Sequence, residues 1–94
     1  MREFWIGTAV LTFDGTVLEV FGVTESRRHH IHTVRALLLG QGRSGAWRFT
    51  IDGAGGNSVM LRLEDASHRT AAEAVIEAVN GARATRGWPP VPTT

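Results

Sequence analysis

Six consecutive residues stand out for the chemistry they could support: Arg27-Arg28-His29-His30-Ile31-His32. In an extended strand side chains alternate between faces, so His30 and His32 point the same way. Two imidazoles at that spacing could share a zinc or nickel ion if a third ligand came near, and His68 is the candidate. Arg27 and Arg28 also offer forked donors to an anion or an acidic protein surface, with His29, His30 and His32 adding positive charge below about pH 6. Nucleic acid would use the same run with Trp5, Trp47 or Trp88 as stacking partners. Trp47 falls at a core-facing position, and that reading is not favoured. The plainest alternative is a solvated edge strand whose charges discourage pairing with other chains.

Composition narrows the field further. The chain has no cysteine, which excludes a disulfide framework, a thiolate metal site and a cysteine nucleophile together. Asp, His and Ser all occur, but there is no nucleophile elbow, and the only adjacent carboxylates are Glu64-Asp65 at a strand end. The turn holding Gly53, Gly55 and Gly56 lacks the lysine and following helix of a phosphate loop. Enzymatic activity is therefore not expected, and no cofactor is implied. The net charge of +1 conceals an uneven distribution: Arg27, Arg28, Arg35, Arg43 and Arg48 face Glu25 alone between residues 22 and 48. Every basic residue is arginine.

These side chains need a scaffold, and 94 residues provide for one domain. Residues 1–86 form that domain, and 87–94, with Trp88-Pro89-Pro90-Val91-Pro92, form a Pro-rich extended tail. The tail carries a PxxP spacing suited to a proline-reading groove. Glu3 to Phe13 reads as one strand, with Ala9, Leu11 and Phe13 on one face and Val10 and Thr12 on the other. Asp14-Gly15 is expected to make a two-residue type I′ turn pairing Phe13 with Thr16, Leu11 with Leu18 and Ala9 with Val20.

Gly22 to Arg28 is polar and reads as a loop or strand crossing. In His29 to Leu39 the third-residue spacing of Ile31, Val34 and Leu37 suits a short strand, a half-turn and another short strand, with a one-turn helix as the competitor. Gln41 to Gly45 is a glycine-rich turn. Trp47, Phe49 and Ile51 alternate with polar residues, as do Val59, Leu61 and Leu63 after a turn at 53–57, so these two strands should pair antiparallel. A helix follows from Thr70 to Ala84, with Ala72, Val75, Ile76, Val79 and Ala82 in one apolar stripe. Burying a Val or Ile there is worth about 1.5–3 kcal/mol, whereas an isolated helix of this length is marginal in water. Thr70-Ala71-Ala72-Glu73 fits a capping box, with Asp65 or Ser67 capping an earlier start. The helix stops at Asn80-Gly81 or continues to Ala84 or Arg86.

A strand meander closed by one C-terminal helix resembles the pleckstrin-homology (PH)-like fold, and more narrowly the small bacterial PH-like domains of uncharacterised function. The stretches carrying the resemblance are Thr12 to Leu18, the Ile31/Val34/Leu37 step, Trp47 to Ile51, Asn57 to Leu61, and the helix ending near Ala84. The resemblance implies an α+β fold: a barrel or strongly bent antiparallel sheet of six to seven strands, plugged by the helix. It implies a binding module rather than an enzyme. Phosphoinositide-binding members place basic side chains around the first hairpin loop, whereas Asp14-Gly15 has no Lys or Arg beside it, so lipid binding is not transferred.

The combined expectation is a non-catalytic interaction module that binds a protein partner or self-associates along a strand edge. The alternative is anionic-ligand or metal binding at Arg27 to His32. A leader pattern is not seen in Met1 to Gly7 and no stretch reaches the length of a membrane span, so a cytoplasmic location and no membrane insertion are expected.

Overall fold

Alternating apolar residues build two antiparallel sheets, and one long helix lies against them. The structure, a computed structural model, describes residues 1–22 and 26–94. The first sheet contains β1 (Arg2–Ile6), β2 (Ala9–Phe13), β3 (Val17–Phe21) and β4 (Ser26–His30), adjacent in chain order. The second contains β5 (Val34–Gln41), β6 (Trp47–Gly53) and β7 (Ser58–Leu63), again in order, and the chain then enters α1 (Ala66–Thr85). The fold is thus α+β, with seven strands among the described residues. Among the described residues the backbone ladders form two sheets rather than one closed barrel: pairing stops at the turn 31–33 between β4 and β5 and does not run from β7 to β1.

The core lies between the sheets and α1. Phe4, Leu11, Phe13, Leu18 and Val20 face it from the first sheet, Val34, Leu37, Phe49, Ile51 and Leu63 from the second, and Ala72, Val75 and Val79 from the helix. Ile76 and Ala82, the other members of the helical stripe, are half-buried against this cluster. Leu11, Leu18, Leu37, Phe49 and Ile51 are fully enclosed, so the alternation read from these segments is the alternation that packs.

Four local expectations are corrected. Glu3 to Phe13 is two strands, because Gly7 adopts a φ of +61° and turns the chain over two residues, pairing Ile6 with Ala9. The Asp14-Gly15 turn is not type I′, which needs positive φ at both positions; only Gly15, at +99°, has it. The Asp14 carboxylate instead accepts the Thr16 and Val17 amides at 2.8 Å each, holding a longer loop. Phe13 then pairs with Leu18 and Leu11 with Val20, a two-residue slip that leaves the same side chains facing inward. Third, Ser26 to Arg28, expected in a loop, belong to β4; Val23, Thr24 and Glu25 of that expectation lie outside the described residues.

Finally, α1 starts before Thr70, at Ala66, because Asp65 caps it by accepting the His68 amide at 3.1 Å and the Ser67 hydroxyl at 2.5 Å. The Thr70 hydroxyl donates one turn back to the Ala66 carbonyl, and the helix runs through Gly81 to Thr85. The third-residue spacing also has a cause. The ladder of β5 on β6 skips from Val34 to Ala36, leaving Arg35 as the extra residue of a β-bulge, which is why Val34 and Leu37 both face inward.

Candidate functional site

The basic, histidine-rich run is split between the two faces of β4. Arg27 pairs with Val20 and His29 with Leu18, both core positions, so these two side chains point inward; Arg28 pairs with Glu19 and His30 with Val17 on the outer face. His29 is 1% exposed. Its Nε2–H donates to the Asn57 carbonyl at 2.9 Å, and its Nδ1 has no hydrogen-bond partner among the described residues. The Asn57 amide donates to the Arg28 carbonyl at 3.0 Å and its Oδ1 accepts from Arg27 at 3.3 Å. Together with the Ala54 amide on the Thr33 carbonyl, 3.0 Å, these bonds form the corner where the two sheets meet. Two of the five expected ligand-binding side chains are therefore parts of a structural joint.

Arg28 and the outer histidines remain accessible. Arg28 lies 3.8 Å from Glu19 across the strands, a long contact between a well-solvated guanidinium and a half-buried carboxylate that contributes little to stability. His30 and His32 flank the corner at 31–33 with ring centroids 4.1 Å apart, and their Nδ1 atoms point at each other. His68 does not join them. It sits beside the β1–β2 turn, at the opposite end of β2 from the loop that precedes Val17, the residue paired with His30, and one five-residue strand spans about 13 Å. There the Gly7 amide approaches His68 Nε2 at 3.2 Å and the Glu64 amide approaches Nδ1 at 3.1 Å. A neutral imidazole has one acceptor nitrogen, so His68 serves one of these amides in each tautomer and ties α1 to both sheets. Among the described residues no group of three His, Cys, Asp or Glu side chains could hold a metal ion.

Two carboxylates have shifted titration, both for local reasons. The Val17 and Thr16 amides hold the Asp14 carboxyl below its ordinary 3.8, and the Ser67 hydroxyl followed by the His68 amide does the same for Asp65. Both mark a turn and a cap. The first hairpin loop is Gly7-Thr8, which like Asp14-Gly15 contains no basic residue.

A feature the sequence reading did not assemble lies on the outer face of the first sheet. Trp5 is directly opposite Val10, Val10 opposite Phe21, and Phe21 opposite Ser26, so three apolar side chains form a row across β1, β2 and β3. Trp5 is 64% and Phe21 41% exposed. The adjoining row on the same face runs Glu3, Thr12, Glu19, Arg28, acidic at one end and basic at the other. The signal was present in the sequence: Trp5, Val10 and Phe21 occupy positions that alternate with buried ones, where a polar residue is the norm on a solvated face. Assembling them needed the β1–β2 turn.

No protein-family model, curated protein or solved structure matches this chain. Among the described residues no helix is long and apolar enough to cross a membrane.

Proposed function

We propose that this chain is a non-catalytic interaction module built on a PH-like plan, and that it self-associates through the outer face of its four-stranded sheet. The PH-like reading is supported by the chain order of four strands, three strands and a helix packed on both. The interaction reading is carried by the exposed Trp5-Val10-Phe21 row, since large apolar side chains in contiguous array on a sheet face gain from being covered.

The charges beside that row favour a second copy as its cover. Two such sheets stacked about a two-fold axis parallel to the strands reverse strand order, so β1 of one lies over β4 of the other. Glu3 then faces Arg28 of the copy, Val10 faces Phe21, and Trp5 lies over Ser26 beside that Phe21. The face is small against the roughly 800 Å² per partner of a standard interface, so association is weak and concentration-dependent. Sedimentation over a wide concentration range tests this. Glu3→Arg should weaken the dimer, and Glu3→Arg combined with Arg28→Glu should restore it. A wild-type chain that stays monomeric at millimolar concentration, or a charge swap without rescue, sinks the self-association reading. Capture of a different protein by the same face would keep the module and replace the partner.

A second reading rests on the adjacent imidazoles of His30 and His32 at an exposed corner, whose Nδ1 atoms share a hydrogen bond while His30 Nδ1 also accepts from the His32 amide; a bound ion would replace the bond between the rings. A borderline-soft divalent ion such as zinc or nickel, completed by water, suits that pair. Calorimetric titration with Zn²⁺ checks it: His30→Ala should abolish the heat, and an unchanged isotherm removes this site.

A further inference from the structure

Residues 87–94 leave the helix and settle in a groove between α1 and the outer edge of β5. The Leu37 amide donates to the Pro92 carbonyl at 2.9 Å and the Leu39 amide to the Thr93 carbonyl at 3.1 Å. These are edge donors of β5, on the side away from β6. From the helix, Asn80 Oδ1 accepts the Val91 amide at 3.0 Å, and Arg83 Nε donates to the Pro89 carbonyl at 2.9 Å. The Val91 side chain is 6% exposed and joins the core. Trp88 lies under the guanidinium groups of Arg83 and Arg86, at 5.6 and 5.7 Å from the ring centre. Arg83 is itself anchored on the Ile31 carbonyl at 2.7 Å.

We propose that the β5–α1 groove is a peptide-binding site, that the chain fills it in cis, and that it takes in trans an extended, uncharged segment of another protein in which an aliphatic residue is flanked by prolines. The cis occupant states the chemistry each position requires. Proline at 89, 90 and 92 presets an extended backbone and brings no N–H needing a partner, so the Val91 amide is the one donor within Pro89 to Pro92, and Asn80 meets it. The groove supplies the complementary donors, two from the β5 edge and one from Arg83, to three peptide carbonyls. One aliphatic anchor enters the core, while Pro89, Pro90 and Pro92 remain exposed.

The attachment is not that of a regular strand. The two β5 amides bond to consecutive carbonyls rather than to alternate ones, so the segment does not extend a regular ladder. It leaves the helix through Gly87, whose φ of +74° is available to glycine without strain, and rotation there swings the whole segment off the groove. A competing peptide therefore meets a site closed by a tethered copy of its own pattern, and its apparent affinity falls by the fraction of molecules that are open. This site is separate from the Trp5 face, and neither proposal depends on the other.

The test uses the 94-residue chain and a labelled synthetic peptide with the sequence of residues 87–94. Val91→Asp should free the groove, and the peptide should then bind saturably, at least ten-fold more tightly than to the wild type. Adding Asn80→Ala should weaken that binding several-fold. A folded Val91→Asp chain with no saturable binding overturns the proposal. So does a wild-type dimer that Val91→Asp dissociates, because the occupant in trans is then a second copy. Hydrogen exchange on the wild-type chain decides the matter independently of how the variant folds. The Leu37 and Leu39 amides should exchange through local opening, at least ten-fold faster than amides bonded between β6 and β7. Exchange of Leu37 and Leu39 only on global unfolding overturns it.

Discussion

The outer face of the four-stranded sheet and the outer edge of β5 are both places where a β-structure is incomplete, and the chain treats them differently. At the β5 edge the deficit is backbone polarity, and a few extended residues from the same chain supply two carbonyls and one aliphatic side chain. On the sheet face the deficit is apolar area from Trp5, Val10 and Phe21, which no segment among the described residues covers. Hydrogen bonds are local and directional, so one segment can satisfy an edge; apolar burial scales with area and calls for a surface of comparable size. Contacts at the edge should therefore contribute to folding, and side chains on the face should contribute to association.

The comparison can be broken at the joint between its two halves. Gly53 has no room for a side chain: a Cβ there would lie 2.7 Å from the Asn57 carbonyl oxygen and 2.8 Å from His29 Cδ2. Gly53→Ala should cost about 3 kcal/mol in urea unfolding, the upper range for overpacking, because the obstructing atoms are backbone and a buried ring. At the edge, Val91→Asp should cost about 2 kcal/mol by placing a carboxylate where an aliphatic group was buried. On the face, Trp5→Ser with Phe21→Ser should leave unfolding within about 0.5 kcal/mol of the wild type while abolishing association in sedimentation. A face variant as destabilising as the edge variant would erase the distinction.

The smallest effect concerns the turn and cap that hold the first sheet and α1 in place. Asp14 and Asp65 have carboxyls held below the ordinary 3.8, so each contributes stability above that pH and loses it as the pH falls through the lowered value. Asp14→Asn and Asp65→Asn should each lower Tm slightly at pH 7, and the gap to the wild type should close on acidification below 3.8. A gap that persists at pH 2 would mean that the charged carboxylate is not what holds the turn or the cap.

Period-two alternation made much of the scaffold legible in the sequence. Trp47, Phe49 and Ile51 against Val59, Leu61 and Leu63 pair as expected, with Phe49 opposite Leu61 and Ile51 opposite Val59. Ala72, Val75 and Val79 mark the buried helix face correctly. What escaped was phase and capping. Phe4 and Ile6 face inward at even positions, whereas Ala9, Leu11 and Phe13 do so at odd ones, and that change of phase is the trace of the turn at Gly7-Thr8. The helix start is ambiguous in the sequence because three polar residues, Asp65, Ser67 and Thr70, compete as caps, and only the Asp65 geometry decides among them.

The site was less legible than the scaffold for a related reason. A run of basic and imidazole side chains looks like one surface when written in a line, but β4 sends Arg27 and His29 inward and Arg28 and His30 outward. Conversely, Trp5, Val10 and Phe21 are distant in sequence and become neighbours through two successive hairpins. Residue type identified the unusual side chains, and pairing register decided which of them share a surface.

The bulge at Arg35 has a bearing on how this chain can vary in length. Because β6 has no counterpart for that residue, a chain lacking it would still set Val34 against Gly53 and Ala36 against Asp52, with Leu37 turned toward the interior. Removal of Leu38 has no such exemption: it would turn Leu39, Gly40 and Gln41 inside out and carry the docking amide of Leu39 away from its groove. One strand thus holds, a few residues apart, a place where the chain can shorten freely and a place where it cannot.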